Sequence, residues 1–61
     1  MRAQRLEDDE ATRFYEVTHG DRWWTVSITM DGGTLILNEK LRSVAPEGRL
    51  GRAILATIER L

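Results

Sequence analysis

The chain has 61 residues, of which 41% are hydrophobic and 31% charged, and its formal net charge at pH 7 is −1. This composition predicts one small folded domain and excludes a chain that is disordered throughout. The absence of cysteine excludes disulfides and cysteine-based zinc or iron–sulfur sites. The near-neutral charge excludes a global field that would attract nucleic acid or an anionic membrane.

The first eleven residues are strongly charged, with Arg2, Arg5 and the run Glu7 to Glu10 around one aliphatic side chain, Leu6. No period in this stretch could bury one face. We therefore predict a mobile charged arm over residues 1–11 and a single small domain over residues 12–61. No apolar stretch resembles a secretory signal or a membrane span, so we expect a cytoplasmic location and no membrane partner.

The hydrophobic period becomes two after Thr12, which is typical of strands with one buried face. A turn on Gly20-Asp21 predicts a hairpin that pairs Val17 with Trp24 and Tyr15 with Val26. The first predicted strand therefore runs from about Arg13 to Thr18, and its inward side chains match those of the second strand.

A second hairpin is predicted at Asp31-Gly32, because this dipeptide suits a two-residue primed turn. That loop sets Ile28 opposite Leu35 and Val26 opposite Leu37. It therefore predicts that both leucines point inward and that Ile36 points outward. The inward face, which needs a cover, consists of Tyr15, Val17, Trp24, Val26, Ile28, Met30, Leu35 and Leu37.

We predict that a C-terminal helix packs on this inward face. The helix is expected to start near Ala45 and to be stable from Leu50 onward. Apolar residues recur there at spacings of three and four. They are Leu50, Ala53, Ile54, Thr57, Ile58 and Leu61. Between the last strand and the helix, Leu41 and Val44 are expected to tuck under the sheet edge. The predicted fold is α+β, a three-stranded antiparallel meander with one C-terminal helix packed on one face.

Residues that could carry chemistry are few. His19 and Asp21 could form an acid–base pair, but turn chemistry explains both, and no nucleophile accompanies them. Asp8, Asp9 and Glu10 lack the spacing of a calcium loop, so a solvated segment is the simpler interpretation. We therefore expect no catalytic residue, no metal and no cofactor, which makes the protein a non-enzymatic one.

The outward face of the predicted sheet is the informative feature, because one helix cannot cover both faces. Phe14, Trp23, Thr25 and Ile36 are predicted to form a partner-binding patch there, since exposed aromatic residues are typical of contact surfaces. We therefore expect a small protein-interaction or assembly module. Its partner is expected to be a second copy, most simply as a homodimer, or another protein.

A nucleic-acid-binding regulator is the alternative hypothesis. The predicted element order is similar to that of the arm-binding domains of phage integrases, whose strands bind DNA with arginines. In this chain the candidate nucleic-acid or anion contacts are Arg13, Arg22, Arg49 and Arg52, which flank the strands or lie on the helix. The outward strand positions carry no arginine or lysine and include Glu16, so protein contact is favoured.

Overall fold

Five antiparallel strands form one sheet in the computed structural model of the chain, which describes all residues from 1 to 61. The strands lie side by side in the order β1-β2-β3-β4-β5. They are β1 (Arg2–Arg5), β2 (Thr12–His19), β3 (Arg22–Thr29), β4 (Thr34–Asn38) and β5 (Ser43–Val44). One helix, α1 (Arg49–Glu59), follows them. The predicted α+β class and the C-terminal helix are confirmed, but the predicted number of three strands is wrong.

The β2–β3 hairpin has the predicted register. Val17 lies opposite Trp24, Tyr15 lies opposite Val26, and His19 and Arg22 close the pairing around the two-residue turn. These side chains alternate between the two faces, so the hairpin places one apolar set on the side covered by α1. We call this covered side the inner face and the opposite side the outer face.

The core lies between the inner face and α1. Trp24 is 1% exposed, so its ring stabilises the fold through apolar packing. Its buried indole Nε1–H has no hydrogen-bond partner, which offsets part of that stabilisation. The guanidinium of Arg22 lies 5.0 Å from the centre of one Trp24 ring, a cation–π distance. The buried hydrophobic residues of the core are Tyr15, Val17, Trp24, Val26, Ile36, Ile54 and Ile58.

The register of β3 with β4 differs from the predicted one. Val26 lies opposite Ile36, and Ile28 lies opposite Thr34. The connection holds three residues, because Thr29 and Gly33 are hydrogen-bonded across it and Gly32 adopts a positive φ of 95°. A turn followed by a left-handed glycine is a common three-residue hairpin loop.

This one-residue shift exchanges the two faces of β4. Ile36 is fully buried, whereas Leu35 is 48% exposed on the outer face. The predicted inward leucines and outward Ile36 are therefore wrong. Met30, predicted to point inward, is an exposed residue of the loop.

The two edge strands, β1 and β5, were not predicted from the sequence. Ala3 of β1 lies opposite Val17, and the pairing continues beyond the strand, where the Leu6 N–H donates to the Phe14 carbonyl oxygen at 2.9 Å. Four residues of the predicted arm thus complete the sheet through backbone hydrogen bonds. At the other edge, Val44 packs against the core as predicted, but Leu41 is exposed and has a left-handed φ of 61°.

Helix α1 begins at Arg49 after an N-cap glycine, Gly48. Its first turn lies against the preceding segment, and a Cβ at Gly51 would lie 2.1 Å from the Ala45 carbonyl oxygen. Only glycine permits this approach, which lets the first turn of α1 pack tightly against the backbone of Ala45 and Pro46. Two residues that were predicted to lie on the buried face of the helix, Ala53 and Leu61, are exposed.

Candidate protein-interaction surface

The outer face of the sheet has no covering element, because the one helix packs on the inner face. Alternation along the paired strands assigns its members. The apolar ones are Phe14, Trp23, Leu35 and Leu37, and Leu6 continues the register beside Phe14. The hydroxyl-bearing ones are Thr12, Thr18, Thr25, Ser27, Thr29 and Ser43. The remaining ones are Arg2, Gln4 and Glu16.

The most exposed apolar side chains of this face are Trp23, which is 39% exposed, and Leu35. Leu35 lies opposite Ser27, which in turn lies opposite Phe14, so the three residues form a row across the sheet. Leu37 lies opposite Thr25 in the adjacent row. Apolar and hydroxyl groups thus alternate over three strands in the first row, whereas the adjacent row ends in Glu16 on β2. Aromatic and aliphatic groups of this kind are typical of contact surfaces.

Three of the four predicted patch residues lie together on this face: Phe14, Trp23 and Thr25. The fourth, Ile36, does not, because it belongs to the core. Sequence reasoning missed Leu35 and Leu37, which replace Ile36 on the outer face. The three consecutive apolar residues of β4 carry no period, so only the length of the preceding loop could have identified the outward ones.

One carboxylate, that of Glu39, lies just after the end of β4 and beside Trp23. Glu39 accepts hydrogen bonds from Arg22 Nη2 at 3.3 Å and from the Trp23 backbone N–H at 3.4 Å. The hydrogen bond from Arg22 is the main reason why the pKa of Glu39 lies below its ordinary value, and the Trp23 amide contributes in the same direction. Glu39 therefore stays ionised at neutral pH and fixes the backbone beside Trp23.

The four arginines predicted as nucleic-acid or anion contacts do not form one surface. Arg13 and Arg22 lie at opposite ends of the β2–β3 hairpin, about 20 Å apart at the usual rise of a strand. Both share the inner-face parity of Tyr15 and Trp24. Arg49 and Arg52 lie in the first turn of α1, in the other layer of the molecule. The structure therefore brings none of the four onto the outer face.

The largest concavity is a depression of about 200 Å³ over β1 and β2, lined by Arg2, Ala3, Gln4, Glu16 and Thr18. Small-molecule sites usually occupy about 300 Å³ or more. The depression is smaller than this, and its lining includes the opposite charges of Arg2 and Glu16.

The other sequence candidates lie away from the outer face. His19 and Asp21 are exposed at the β2–β3 turn. Asp9 accepts hydrogen bonds from the backbone N–H groups of Ala11 and Thr12, both at 2.9 Å, so it orders the connection between β1 and β2. This is the turn chemistry of an aspartate side chain.

Comparisons with protein-family models, curated proteins and solved structures found no match to the chain. At eleven residues, α1 is too short to cross a membrane, and it is the only helix.

Proposed function

We propose that this chain is a small non-enzymatic protein-interaction module whose outer sheet face packs against a second copy of the chain. The observation that carries the proposal is the uncovered face itself, where Trp23 and Leu35 are exposed among hydroxyl-bearing side chains. Burying aromatic and aliphatic groups of this kind is the usual source of affinity between proteins.

The size of the face supports a reversible dimer. Strands of two to eight residues, spaced about 4.8 Å apart with a rise of about 3.3 Å per residue, give about 400 Å² of flat area. Side chains make the accessible area of each face larger than its flat area, so two such faces bury about 1,000 Å² of accessible surface in total. This value is the lower limit for specific interfaces. A symmetric contact would use this face once on each copy and then stop.

Face packing is favoured over edge pairing by the nature of the two edge strands. Edge β1 carries Arg2 and Arg5, and edge β5 has only two residues. Charged and very short edge strands are the devices by which sheets avoid pairing with another chain. The outer face carries Glu16 and, on β1, Arg2, but β3 and β4 present no charged side chain on this face.

Sedimentation velocity over a wide range of protein concentrations tests the proposal. We expect the mass to rise from 7.0 kDa toward twice that value as concentration increases. Trp23→Ala and Leu35→Ala should shift the equilibrium toward monomer. Leu61→Ala is the matched control, because Leu61 is an exposed apolar residue that follows α1, in the layer on the opposite side of the sheet.

A monomer at all concentrations, or a Trp23→Ala variant with an unchanged dissociation constant, overturns the proposal. Retention of the monomer on DNA, lost steeply with added salt, also overturns it and supports the nucleic-acid alternative, because released counterions make such binding salt-dependent.

A further inference from the structure

Charges are distributed unevenly along the strand direction, and one end of the sheet is basic. The register places Arg2 beside Thr18 and Thr18 beside Trp23, and Glu39 binds the Trp23 amide, so these residues share the row at this end. The β2–β3 and β4–β5 turns lie here. The basic end contains Arg2, Arg22, Lys40 and Arg42, with Asp21 and Glu39. Since Arg22 pairs with Glu39, the end keeps an excess of positive charge.

The opposite end of the sheet is acidic. The Met30 N–H donates to the Ala11 carbonyl oxygen at 3.0 Å, which joins the β1–β2 connection to the β3–β4 loop. The acidic end contains Glu7, Asp8, Asp9, Glu10 and Asp31, with Arg5 and Arg13. A hydrogen bond from Arg5 lowers the pKa of Asp8, and one from the Thr29 hydroxyl lowers the pKa of Asp31, so both stay ionised at neutral pH.

The charges at the two ends of the sheet are screened from each other in solution. Strands β2 and β3 each have eight residues, so the ends lie about 25 Å apart. This distance exceeds the Debye length of about 8 Å at physiological ionic strength. Each end therefore interacts only with charged groups that lie close to it. The net charge of −1 does not reveal this difference in charge between the two ends.

Two simple twofold arrangements can stack the outer faces with nearly aligned strands. An axis parallel to the strands places like ends over each other, which is repulsive at both ends. An axis across the strands places the basic end of each copy over the acidic end of the other, which is attractive at both ends.

We propose that two copies pack outer face on outer face around a twofold axis that crosses the strands, so that the basic end of each copy contacts the acidic end of the other. This inference rests on the proposed function. In this arrangement each strand lies over the same strand of the second copy with its rows reversed. Leu35 of one copy then lies over the row of Leu37 in the other, and Trp23 lies over the hydroxyls of Ser27 and Thr29.

Charge reversal at each end tests the orientation. R2E/K40E makes the basic end acidic, and E7K/E10K makes the acidic end basic; these four side chains form none of the observed hydrogen bonds or ion pairs. Each double variant replaces attraction by repulsion at both symmetry-related contacts. We expect each to raise the dissociation constant of the dimer about tenfold at physiological ionic strength. The quadruple variant, with both ends reversed, should return the constant to within about twofold of wild type.

A matched control separates local contacts from net charge. R49E/R52E changes the charge as much as R2E/K40E does, but on the helix side of the molecule. It should leave the dissociation constant unchanged. Added salt provides a measurement without mutation, because it should weaken the wild-type dimer in this arrangement and strengthen it in the arrangement with like ends together.

The outcomes separate this inference from the proposed function. A dimer that Trp23→Ala dissociates, but that tightens with salt or is not restored in the quadruple variant, overturns the orientation and keeps the face. A wild-type chain that stays monomeric overturns both. Far-ultraviolet circular dichroism establishes that each variant is folded before its mass is interpreted.

Discussion

Trp23 and Trp24 are adjacent in the chain but belong to different faces of the sheet. Trp24 is almost completely buried between β3 and α1, whereas Trp23 is more than one-third exposed on the side without a cover. Because alternate residues of a strand point to opposite faces, two identical side chains one residue apart have different roles. One stabilises the fold, and the other is available for a partner.

The two faces also differ in the chemistry around these tryptophans. Trp24 is surrounded by aliphatic side chains such as Val26, Ile36 and Ile54. Trp23 has Thr18 beside it and Thr25 two residues along β3. Threonine favours the strand conformation while it remains compatible with water. The outer face can therefore be exposed in a monomer and buried in a dimer.

Trp24→Ala should have the largest effect on stability. Removing a buried tryptophan leaves a cavity, and we expect the free energy of unfolding to fall by about 3–5 kcal/mol. Trp23→Ala should cost less than about 1 kcal/mol in the monomer. Urea denaturation at low protein concentration measures both, and equal losses would contradict the division of the sheet into a core face and a contact face.

Ile36→Ala and Leu35→Ala sharpen the comparison within one strand. Ile36 is fully buried between Val26 and Val44, so its truncation should cost about 2–5 kcal/mol. Leu35→Ala should cost less than about 1 kcal/mol in the monomer but should weaken the dimer. If Leu35→Ala were the more destabilising variant in urea, the register with the two-residue loop would be the correct one.

Gly51→Ala tests how closely the helix approaches the segment before it. A methyl group there overlaps the Ala45 carbonyl oxygen, so backbone must shift, and we expect a loss of about 1–3 kcal/mol. Gly48→Ala is the control, because its Cβ would lie 3.4 Å from the nearest atom outside its chain neighbours. Thermal denaturation should show a clearly lower midpoint for Gly51→Ala, and equal midpoints would show that the contact is not tight.

Leu41→Asn should stabilise the β4–β5 turn, which lies outside both faces. Leu41 has a left-handed φ of 61° and is 73% exposed, so it contributes strain without packing. Asparagine tolerates this conformation, and we expect a gain of about 0.5 kcal/mol. Leu41→Ala should bring no such gain, because alanine shares the strain. A gain for Leu41→Ala that equals the gain for Leu41→Asn would exclude strain as the cause.

Thr29→Val should have the smallest effect, which is on the pH dependence of stability. The Thr29 hydroxyl donates to Asp31 and lowers its pKa, so this carboxylate stabilises the folded state at neutral pH. That contribution is lost as the pH falls through the lowered pKa. In Thr29→Val the pKa of Asp31 should move toward its ordinary value, as carbon-13 NMR of the carboxyl group can measure.

Local signals in the sequence determined much of the fold. The alternation from Trp23 to Met30 and the Gly20-Asp21 turn predicted the β2–β3 register, and the spacing of Leu50, Ile54 and Ile58 predicted the helix. The same alternation predicted that Phe14, Trp23 and Thr25 lie on the outer face. Such features are encoded within a few neighbouring residues, so they can be interpreted without knowledge of the rest of the molecule.

The tertiary structure decided the edges of the sheet and the faces of β4. Strand β1 has no apolar period, and its backbone pairs with β2 because the edge of that strand is open. In β4 the residues Leu35, Ile36 and Leu37 are all apolar, so composition does not distinguish inward from outward. A loop with Gly32 in a left-handed conformation places Ile36 in the core, and the register that fills the core therefore leaves both leucines on the outer face.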